Sequence, residues 1–292
     1  MKGKTTEIIL HVVLVIGLLI WNYPGISSLY NRINEAEVIS SQDNVLEQLT
    51  KEKLEKEKAL VREYNARLLA GSGNGIKDTF SDEDNVFDEE YEGLLNIGDD
   101  GVMGAIEIPD IHVYLPISHG TSTKVLEEGA GHLKGTSLPI GGEDTHCVIS
   151  AHRGLPSATL FTDADQIKKE DVFYLHVLKE TLAYQVDQIT VVTPSEVSTL
   201  DIEAGADYVT LLTCTPYGIN SHRLLIRGKR IPYTKAQQKR LEQMVSSIWQ
   251  WLLEQKVLLL STGILLLYIL GNIIRSIRMR RRYKSHVKRK RT

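Results

Sequence analysis

The part of the chain between residues 101 and 233 consists of short apolar runs separated by turn residues, and this pattern constrains the fold more than any other feature. The runs are rich in Val, Ile, Tyr and Thr and are bounded by Gly, Pro, Asp or Asn, as β-strands are. At least six are present: MGAIEIP, HCVISAH, DVFYLHV, LAYQVDQITVV, YVTLLTC and RLLIRGKRI. No long helical pattern separates them, so we predict an antiparallel β-barrel or β-sandwich over residues 95–234.

The segments before this β domain have a different composition. Residues 24–74 are rich in Glu, Lys, Leu and Ala, and apolar residues recur there at helical spacing, as at Val38, Val45, Leu49, Leu60, Tyr64 and Leu68. We predict one or two helices that end near Gly71. Residues 75–94 are acidic with isolated aromatic side chains, and we expect a loop or linker with a short helix near its end.

Two uncharged apolar runs flank these segments. At about 1.5 Å rise per residue, the run at 257–274 nearly spans a hydrocarbon layer roughly 30 Å thick. The run at 8–23 is shorter, so a cleaved signal peptide must be weighed against a retained anchor. Because no Ala-x-Ala cleavage site follows it, we favour an N-terminal transmembrane anchor at 1–23. We also predict a helical linker at 235–256 and a C-terminal transmembrane helix at 257–274.

The charge distribution orients these spans. Ten of the chain's 34 basic residues lie in 275–292, which contains no acidic residue. The positive-inside rule places this tail, together with Lys2 and Lys4, on the cytoplasmic side, so the β domain lies outside the cell. A basic tail next to a membrane span is typical of contact with anionic lipid, and we do not expect nucleic-acid binding.

The stretch YVTLLTCTPYGINSHRLLIRGKR brings the first candidate site residues together. Its two apolar runs are separated by TPYGINSH, which contains Pro, Gly and Asn and is typical of a hairpin with a long loop. In such a hairpin, the last residue of the first strand and the first residue of the second strand face each other, with their Cβ atoms about 4.5 to 5.5 Å apart. Cys214 and Arg223 are therefore predicted to share one edge of a sheet, where the cation favours the reactive thiolate.

A histidine provides the partner that a nucleophilic thiolate needs for proton transfer. His152 follows the run HCVISAH and precedes a turn at Arg153 and Gly154, so it also lies at a strand end. His222 is the competing base, but strand alternation turns it away if Arg223 points into the site. The other histidines considered are expected to be structural or exposed: His112, His119, His132, His146 and His176.

Other kinds of site are not indicated by the sequence. The second cysteine, Cys147, lies within a strand pattern and is expected to be a buried, inert thiol, although one disulfide with Cys214 would be permitted outside the cell. There is no Cys-x-x-Cys pair, no spacing of the abundant acidic residues singles out a carboxylate pair or calcium loop, and GAGH and IGG are poor phosphate-binding loops. We therefore predict neither a metal nor a cofactor.

The motifs TLLTC and AHRG, with Arg223 nine residues after the cysteine, resemble the sortases. These are membrane-bound cysteine transpeptidases of Gram-positive bacteria. The segments GAGHLKGTSLPIGG, YQVDQI, TLLTCTPYGINSHRL and RGKRIPY are similar to the class C, pilus-assembling branch. The resemblance runs from about residue 76 to residue 233 and implies a closed eight-stranded β-barrel with the three site residues in one groove.

The resemblance also implies roles for these residues. Cys214 would attack the Thr carbonyl of a Leu-Pro-x-Thr-Gly (LPXTG)-like sorting signal, His152 would transfer protons, and Arg223 would stabilise the oxyanion or hold the substrate backbone. The acceptor would be a Lys amine of a pilin subunit. Class C sortases also carry a lid with an Asp-Pro-aromatic motif, and here Asp78 and Phe80 match it while Thr79 replaces the proline. The turn in the lid is therefore less rigid than with proline.

Three function classes remain open from the sequence. The first is a transpeptidase, either of the pilus type or of a housekeeping type that anchors proteins to a cell-wall precursor. The second is a hydrolytic cysteine protease, which would release a free carboxylate when amine acceptors are present. The third is a membrane-tethered binding or scaffold protein, whose effect would survive replacement of Cys214.

Overall fold

The structure, a computed structural model, describes residues 2–71, 88–155, 158–233, 263, 266–275 and 278. Two compact units are present, one formed by Met1–Tyr23 with Glu242–Thr292 and the other by Pro24–Leu241. The predicted linker at 235–256 and most of the predicted span at 257–274 lie outside the described residues. Most of the basic tail does so as well.

The first unit contains the start of a long helix, α1 (Lys2–Glu47). In the ranges that the structure describes, no single helix is both long and apolar enough to cross a membrane. The length and apolar composition needed for a membrane span are reached only when two helical segments are taken together, Val12–Tyr23 and Gly25–Glu47, which meet at a bend of 40°. A shorter apolar helix is Leu266–Arg275. Pro24 lies at the bend, where its missing N–H removes a helical hydrogen bond.

The second unit begins with the remainder of α1 and with α2 (Lys51–Ala70). Helix α2 starts at Thr50, whose hydroxyl accepts a hydrogen bond from the Lys53 amide, a cap that typically contributes about 1 kcal/mol. It ends at Gly71, whose amide donates to Arg67 and Leu68 carbonyls. The predicted N-terminal helices are therefore confirmed.

These helices are attached to the β domain by buried polar contacts. The side-chain amide of Asn65 forms two hydrogen bonds with the backbone of Leu138, at 3.2 and 2.8 Å. Lys58 forms an ion pair with Glu180 at 2.6 Å. A shorter helix, α3 (Glu89–Gly93), follows the undescribed segment 72–87. Helix α2 is thereby fixed against the domain that carries the candidate site.

The β domain is a closed barrel of eight strands. The strands are β1 (Val102–Ile108), β2 (Val113–His119), β3 (Ala130–His132), β4 (Thr145–Ser150), β5 (Val172–Val177), β6 (Glu180–Val192), β7 (Asp207–Thr215) and β8 (His222–Ile231). The order around the barrel is β1-β2-β3-β4-β7-β8-β6-β5. A short helix, α4 (Thr123–Glu128), connects β2 to β3, and a 3-10 helix, Val197–Leu200, lies between β6 and β7.

The closed eight-stranded barrel implied by the sequence resemblance is confirmed, but the expectation of an antiparallel arrangement is wrong for two strand pairs. Strands β2 and β3 pair in parallel, and so do β4 and β7. The chain passes through α4 between the first two, and through β5 and β6 between the second two. Each of these connections brings the chain back to the end of the barrel at which the earlier strand begins, and parallel pairing requires this.

Candidate active site

Cys214 and Arg223 lie opposite each other at the end of the β7–β8 hairpin. They are direct partners in the strand register, as the loop length predicted. Both residues are largely buried, with 6% and 8% of their surface exposed. His222 pairs with Thr215 in the next position of the register and is exposed, so it faces away from Arg223.

The two residues lie on the outer face of the barrel. Val209 and Leu211 of β7 belong to the main apolar core, whereas Leu212 belongs to a second cluster. Because side chains alternate along a strand, Cys214 shares the face of Leu212. Cys214 therefore lies two positions beyond Leu212 on the face that carries an apolar floor, made by Leu133, Val148, Val192, Leu200, Leu212 and Leu225.

A polar cavity continues this outer face away from Cys214. It has a volume of about 130 Å³. Moving along β7 and β8 away from the hairpin loop, the pair Cys214–Arg223 is followed by Leu212–Leu225 and then by Thr210–Arg227. At roughly 3.3 Å per residue, Thr210 is about 13 Å from Cys214 along the strand. The lining residues are Gln188, Thr190, Thr199, Glu203, Thr210, Leu225 and Arg227.

His152 lies just beyond the end of β4, at the same edge of the sheet as Cys214. The two strands run in parallel with Ser150 opposite Leu212, so their carboxyl ends coincide. Ala151 extends this contact, because its amide donates to the Leu212 carbonyl at 3.2 Å and its carbonyl accepts from the Thr213 hydroxyl at 2.8 Å. The structure thus brings the three sequence-predicted residues to one end of the β4–β7–β8 sheet.

The electrostatic environment of His152 depends on a residue that the sequence did not indicate. Partial burial lowers the pKa of His152, and the carboxylate of Glu127 acts in the opposite direction. Glu127 belongs to α4, which lies between β2 and β3. The lowered pKa favours the neutral imidazole, which is the form able to accept a proton.

The guanidinium of Arg223 is held by its own loop. Its Nη1 donates to the carbonyl oxygens of Asn220 and His222 at 3.1 and 3.2 Å. Asn220 has a φ of 59°, a left-handed conformation that Asn tolerates better than most residues. The loop after Cys214 therefore orients the cation as well as closing the hairpin.

The two cysteines, both in described parts of the chain, form no disulfide. Cys147 is buried in β4 opposite Val209 of β7. Burial raises the pKa of Cys147 well above its usual value, and the nearby Asp207 raises it further. Cys147 is thus an inert core thiol, as predicted, and Cys214 remains available as a nucleophile.

The histidines predicted to be structural have separate locations in the fold. His119, His132 and His146 are buried, and their ring nitrogens contact backbone or side-chain oxygens. His176 contacts Glu107 at 2.8 Å on the barrel wall, and His112 is exposed after β1. Of these five, His146 shares the outer face, but it pairs with Tyr208, six residues before Cys214 along β7.

The buried His132 leads to a prediction about stability and pH. Its Nε2 donates to the Ser137 carbonyl at 2.9 Å and its Nδ1 contacts the Tyr91 hydroxyl at 2.9 Å. Burial lowers the pKa of His132 to about 4. Below pH 6.5 the unfolded chain binds a proton that the folded chain excludes, so the free energy of unfolding falls by roughly 3 kcal/mol between pH 6.5 and pH 4.

This dependence can be measured by urea unfolding followed by circular dichroism at several pH values. The variant His132→Gln, whose amide can still donate to Ser137, should show a shallower loss of stability over the same pH range, even though it starts from a lower value. Equal slopes for the two proteins would show that His132 is not the responsible group.

The predicted lid residues Asp78 and Phe80 lie outside the described residues. In the part of the chain that is described, no three His, Cys, Asp or Glu side chains come together in a way that could hold a metal ion. The candidate site is therefore composed of a thiol, an imidazole and a guanidinium, with an exposed carboxylate, Glu127, near the imidazole.

Comparison with known proteins identifies the family that shares this arrangement. The sortase domain matches residues 106–231. The solved structure of Streptococcus pneumoniae sortase C is 49% identical in sequence to the chain and has a TM-score of 0.63, with 68% of this chain and 98% of that chain covered. The chain belongs to the sortase family. The prediction of a sortase, a family of cysteine transpeptidases, is confirmed.

Other sortases show how far the similarity extends. The structure of Streptococcus agalactiae sortase C1 is 42% identical, has a TM-score of 0.62 and covers 67% of this chain and 97% of its own. Sortase A of Streptococcus agalactiae serotype III (strain NEM316) is 34% identical over 117 residues, which cover 39% of this chain and 47% of that protein. The match thus spans about half the length of this curated relative, whereas the sortase C structures match almost completely.

Proposed function

We propose that the chain is a membrane-anchored class C sortase that cleaves an LPXTG-like signal after Thr and joins the acyl group to a pilin Lys amine. The observation that carries this proposal is the pairing of Cys214 with Arg223 beside the β4 end that holds His152. The 49% identity to Streptococcus pneumoniae sortase C, whose structure was analysed for pilin substrate specificity, supports the pilus type.

The outer face of the barrel is suited to an extended peptide. The pairs Cys214–Arg223 and Leu212–Leu225 follow one another on this face, the second pair belongs to the apolar cluster, and the polar cavity lies beyond it. Apolar side chains of a sorting signal can pack on the cluster while the scissile carbonyl lies at the sulfur. The buried surroundings of Cys214 and Arg223 would exclude water and strengthen their electrostatic interaction with the substrate.

In the first half-reaction, the proton of the Cys214 thiol passes to the neutral imidazole of His152. The sulfur attacks the Thr carbonyl carbon, and the oxyanion that forms is stabilised by the Arg223 guanidinium. The C–N bond to Gly then breaks, His152 gives its proton to the departing amine, and a thioester on Cys214 remains.

In the second half-reaction, the amine of a pilin Lys attacks the thioester carbonyl. His152 accepts the proton of this amine, and Arg223 again stabilises the oxyanion. The C–S bond breaks and the Cys214 thiolate takes a proton back from His152. The product is an isopeptide bond, and no cofactor or metal is consumed in either step.

The same proposal includes the location of the enzyme. The apolar runs at 8–23 and 257–274 cross the membrane, and the basic tail and the N-terminal lysines remain inside. The catalytic domain then lies on the extracellular face, where pilin subunits and cell-wall precursors are available. Asp78 and Phe80 belong to this proposal as lid residues, with the acid directed at Arg223 and the ring at Cys214.

The proposal is tested by co-expressing the full-length chain with pilin subunits that carry LPXTG-like signals. We expect a high-molecular-weight ladder that survives boiling in detergent, with branched peptides linking the Thr carboxyl to a Lys side chain in mass spectra. Replacing the acceptor Lys of the pilin by Arg should abolish the ladder and leave thioester formation intact.

Other products would indicate the alternative functions. A Thr carboxylate formed in the presence of amine acceptors would indicate a hydrolytic cysteine protease. Attachment of the pilin to a cell-wall precursor amine without a ladder would indicate a housekeeping sortase. Either result would contradict the proposed pilin-polymerising activity.

A further inference from the structure

The residue that follows His152 has a buried guanidinium with three hydrogen-bond partners. Arg153 has only 7% of its side chain exposed, and its Nη2 forms an ion pair with Asp165 at 2.6 Å. Its Nε donates to the Thr162 carbonyl at 3.0 Å, and its Nη1 donates to the Thr215 hydroxyl at 3.3 Å. A buried cation with this many partners is rigidly held.

These partners belong to two different segments. Thr162 lies in the turn after the His152 loop and Asp165 in the 3-10 helix Ala164–Gln166, whereas Thr215 is the residue directly after Cys214. Arg153, which directly follows the base His152, is therefore bonded to the residue that directly follows the nucleophile Cys214. The planar guanidinium fixes the angles between its donors, so it sets the separation of the two segments more tightly than a flexible amine would.

An aromatic ring reinforces the same connection. The Arg153 guanidinium carbon lies 5.9 Å from the centre of the Tyr217 ring, within the range of a cation–π interaction. Gly154 has a φ of +84°, and a Cβ added to it would come within 2.9 Å of Tyr217 Cε2. Glycine thus allows the His152 turn to approach the ring that follows Cys214.

The backbone hydrogen bonds just before and just after His152 join it to different parts of the fold. Before it, Ala151 is hydrogen-bonded to Leu212 and Thr213 of β7. After it, the His152 carbonyl accepts from the Phe161 amide, which attaches the loop to the following turn and not to β7. Arg153 supplies the contact to the Cys214 segment on this second side.

We propose that Arg153 is a positioning residue that fixes the separation between the His152 imidazole and the Cys214 sulfur through its bond to Thr215. This inference rests on the proposed function for its role in turnover. Proton transfer requires hydrogen-bond distance, and a displacement of about 1 Å can lower a rate about 100-fold. Binding of the signal on the outer face does not depend on this separation.

The first test compares Arg153→Met, Arg153→Lys and Thr215→Val in steady-state cleavage of a sorting-signal peptide. We expect kcat to fall about 10- to 100-fold for Arg153→Met, while KM changes less than about 2-fold. Arg153→Lys should recover only part of the loss, because an ammonium cannot reproduce the planar set of three bonds.

Combining two of the changes tests the route through Thr215. If Arg153 acts through this hydroxyl, the double variant Arg153→Met, Thr215→Val should be no slower than Arg153→Met alone. Fully multiplicative losses would overturn the inference. Thr215→Val preserves the side-chain shape, so it decides the question even if Arg153→Met does not fold.

A second readout does not require a peptide substrate. In a Cys147→Ala background, the rate of Cys214 alkylation by iodoacetamide is measured against pH. Because His152 can accept the thiol proton only at hydrogen-bond distance, Arg153→Met should move this profile to higher pH. A shifted profile in an enzyme that forms no thioester would contradict the proposed function and leave the positioning role intact.

Arg230 provides the matched control. Its guanidinium lies 5.4 Å from the centre of the Tyr184 ring, in a comparable arrangement, but at the opposite end of β8 from Arg223. Arg230→Met should change neither kcat nor the alkylation profile. Unchanged kinetics and alkylation in Arg153→Met and Thr215→Val, or equal losses in Arg230→Met, would overturn the positioning role.

Discussion

Replacing Cys214 by Ala is expected to abolish thioester formation with a sorting-signal peptide and to abolish pilin ladders. The acyl group needs a sulfur atom to which it can be transferred, and no other described thiol lies on the outer face. Loss of the nucleophile from a catalytic group of this kind lowers turnover by a factor on the order of 10⁴ or more. Intact-mass measurement of the enzyme after incubation with peptide detects the acyl adduct directly.

Cys147 offers a control of the same residue type. It is buried in the strand next to β7, but it faces the core and its pKa is raised. Cys147→Ala should therefore retain the adduct and a turnover within about 2-fold of the original, with only the small loss of stability typical of a trimmed core side chain. An adduct in Cys214→Ala, or its loss in Cys147→Ala, would show that the nucleophile has been assigned to the wrong cysteine.

The second large effect is expected from Arg223. Arg223→Met should lower single-turnover acylation by about 10² to 10³, because a guanidinium that faces the sulfur across the hairpin stabilises the charge that develops on the carbonyl oxygen. Arg223→Lys should be intermediate, since its ammonium keeps the charge and loses the planar donor geometry. Quenched-flow analysis of the acyl adduct measures both rates.

A substitution at the neighbouring His222 serves as a control, because it separates the loss of the Arg223 charge from general damage to the loop. It is exposed, contacts the Ser221 hydroxyl at 2.9 Å and faces away from Arg223. His222→Gln should leave the acylation rate within about 2-fold. If it slowed the reaction as much as His152→Gln, the base would have to be reassigned from His152 to His222.

Much of the fold could be predicted from local patterns. The runs around Ile106, Ile149, Tyr174, Val186 and Leu211 all form strands, because alternating β-branched and aromatic residues suit a half-buried sheet. Closure into a barrel followed from the family resemblance and not from these runs. The parallel pairing of β4 with β7 was missed because apolar runs carry no information about the relative direction of strands that are distant in sequence.

The candidate site shows the same limit. The partnership of Cys214 and Arg223 was predictable because it depends on one hairpin whose loop length can be counted. The contributions of Glu127 and Arg153 were not, since each depends on segments that meet only in the folded barrel. The sequence marked Arg153 as part of a turn, and only its burial in the structure distinguishes it from an ordinary solvated arginine.

Because β4 and β7 pair in parallel, the distance between His152 and Cys214 does not depend on the length of the chain between them. His152 and Cys214 lie at the same ends of two adjacent strands, so their spacing is set by a sheet and not by the long segment that joins them. That segment includes the 3-10 helix at Val197–Leu200 beside the apolar floor. Insertions there can change the surface beside the apolar floor while the reacting groups keep their places.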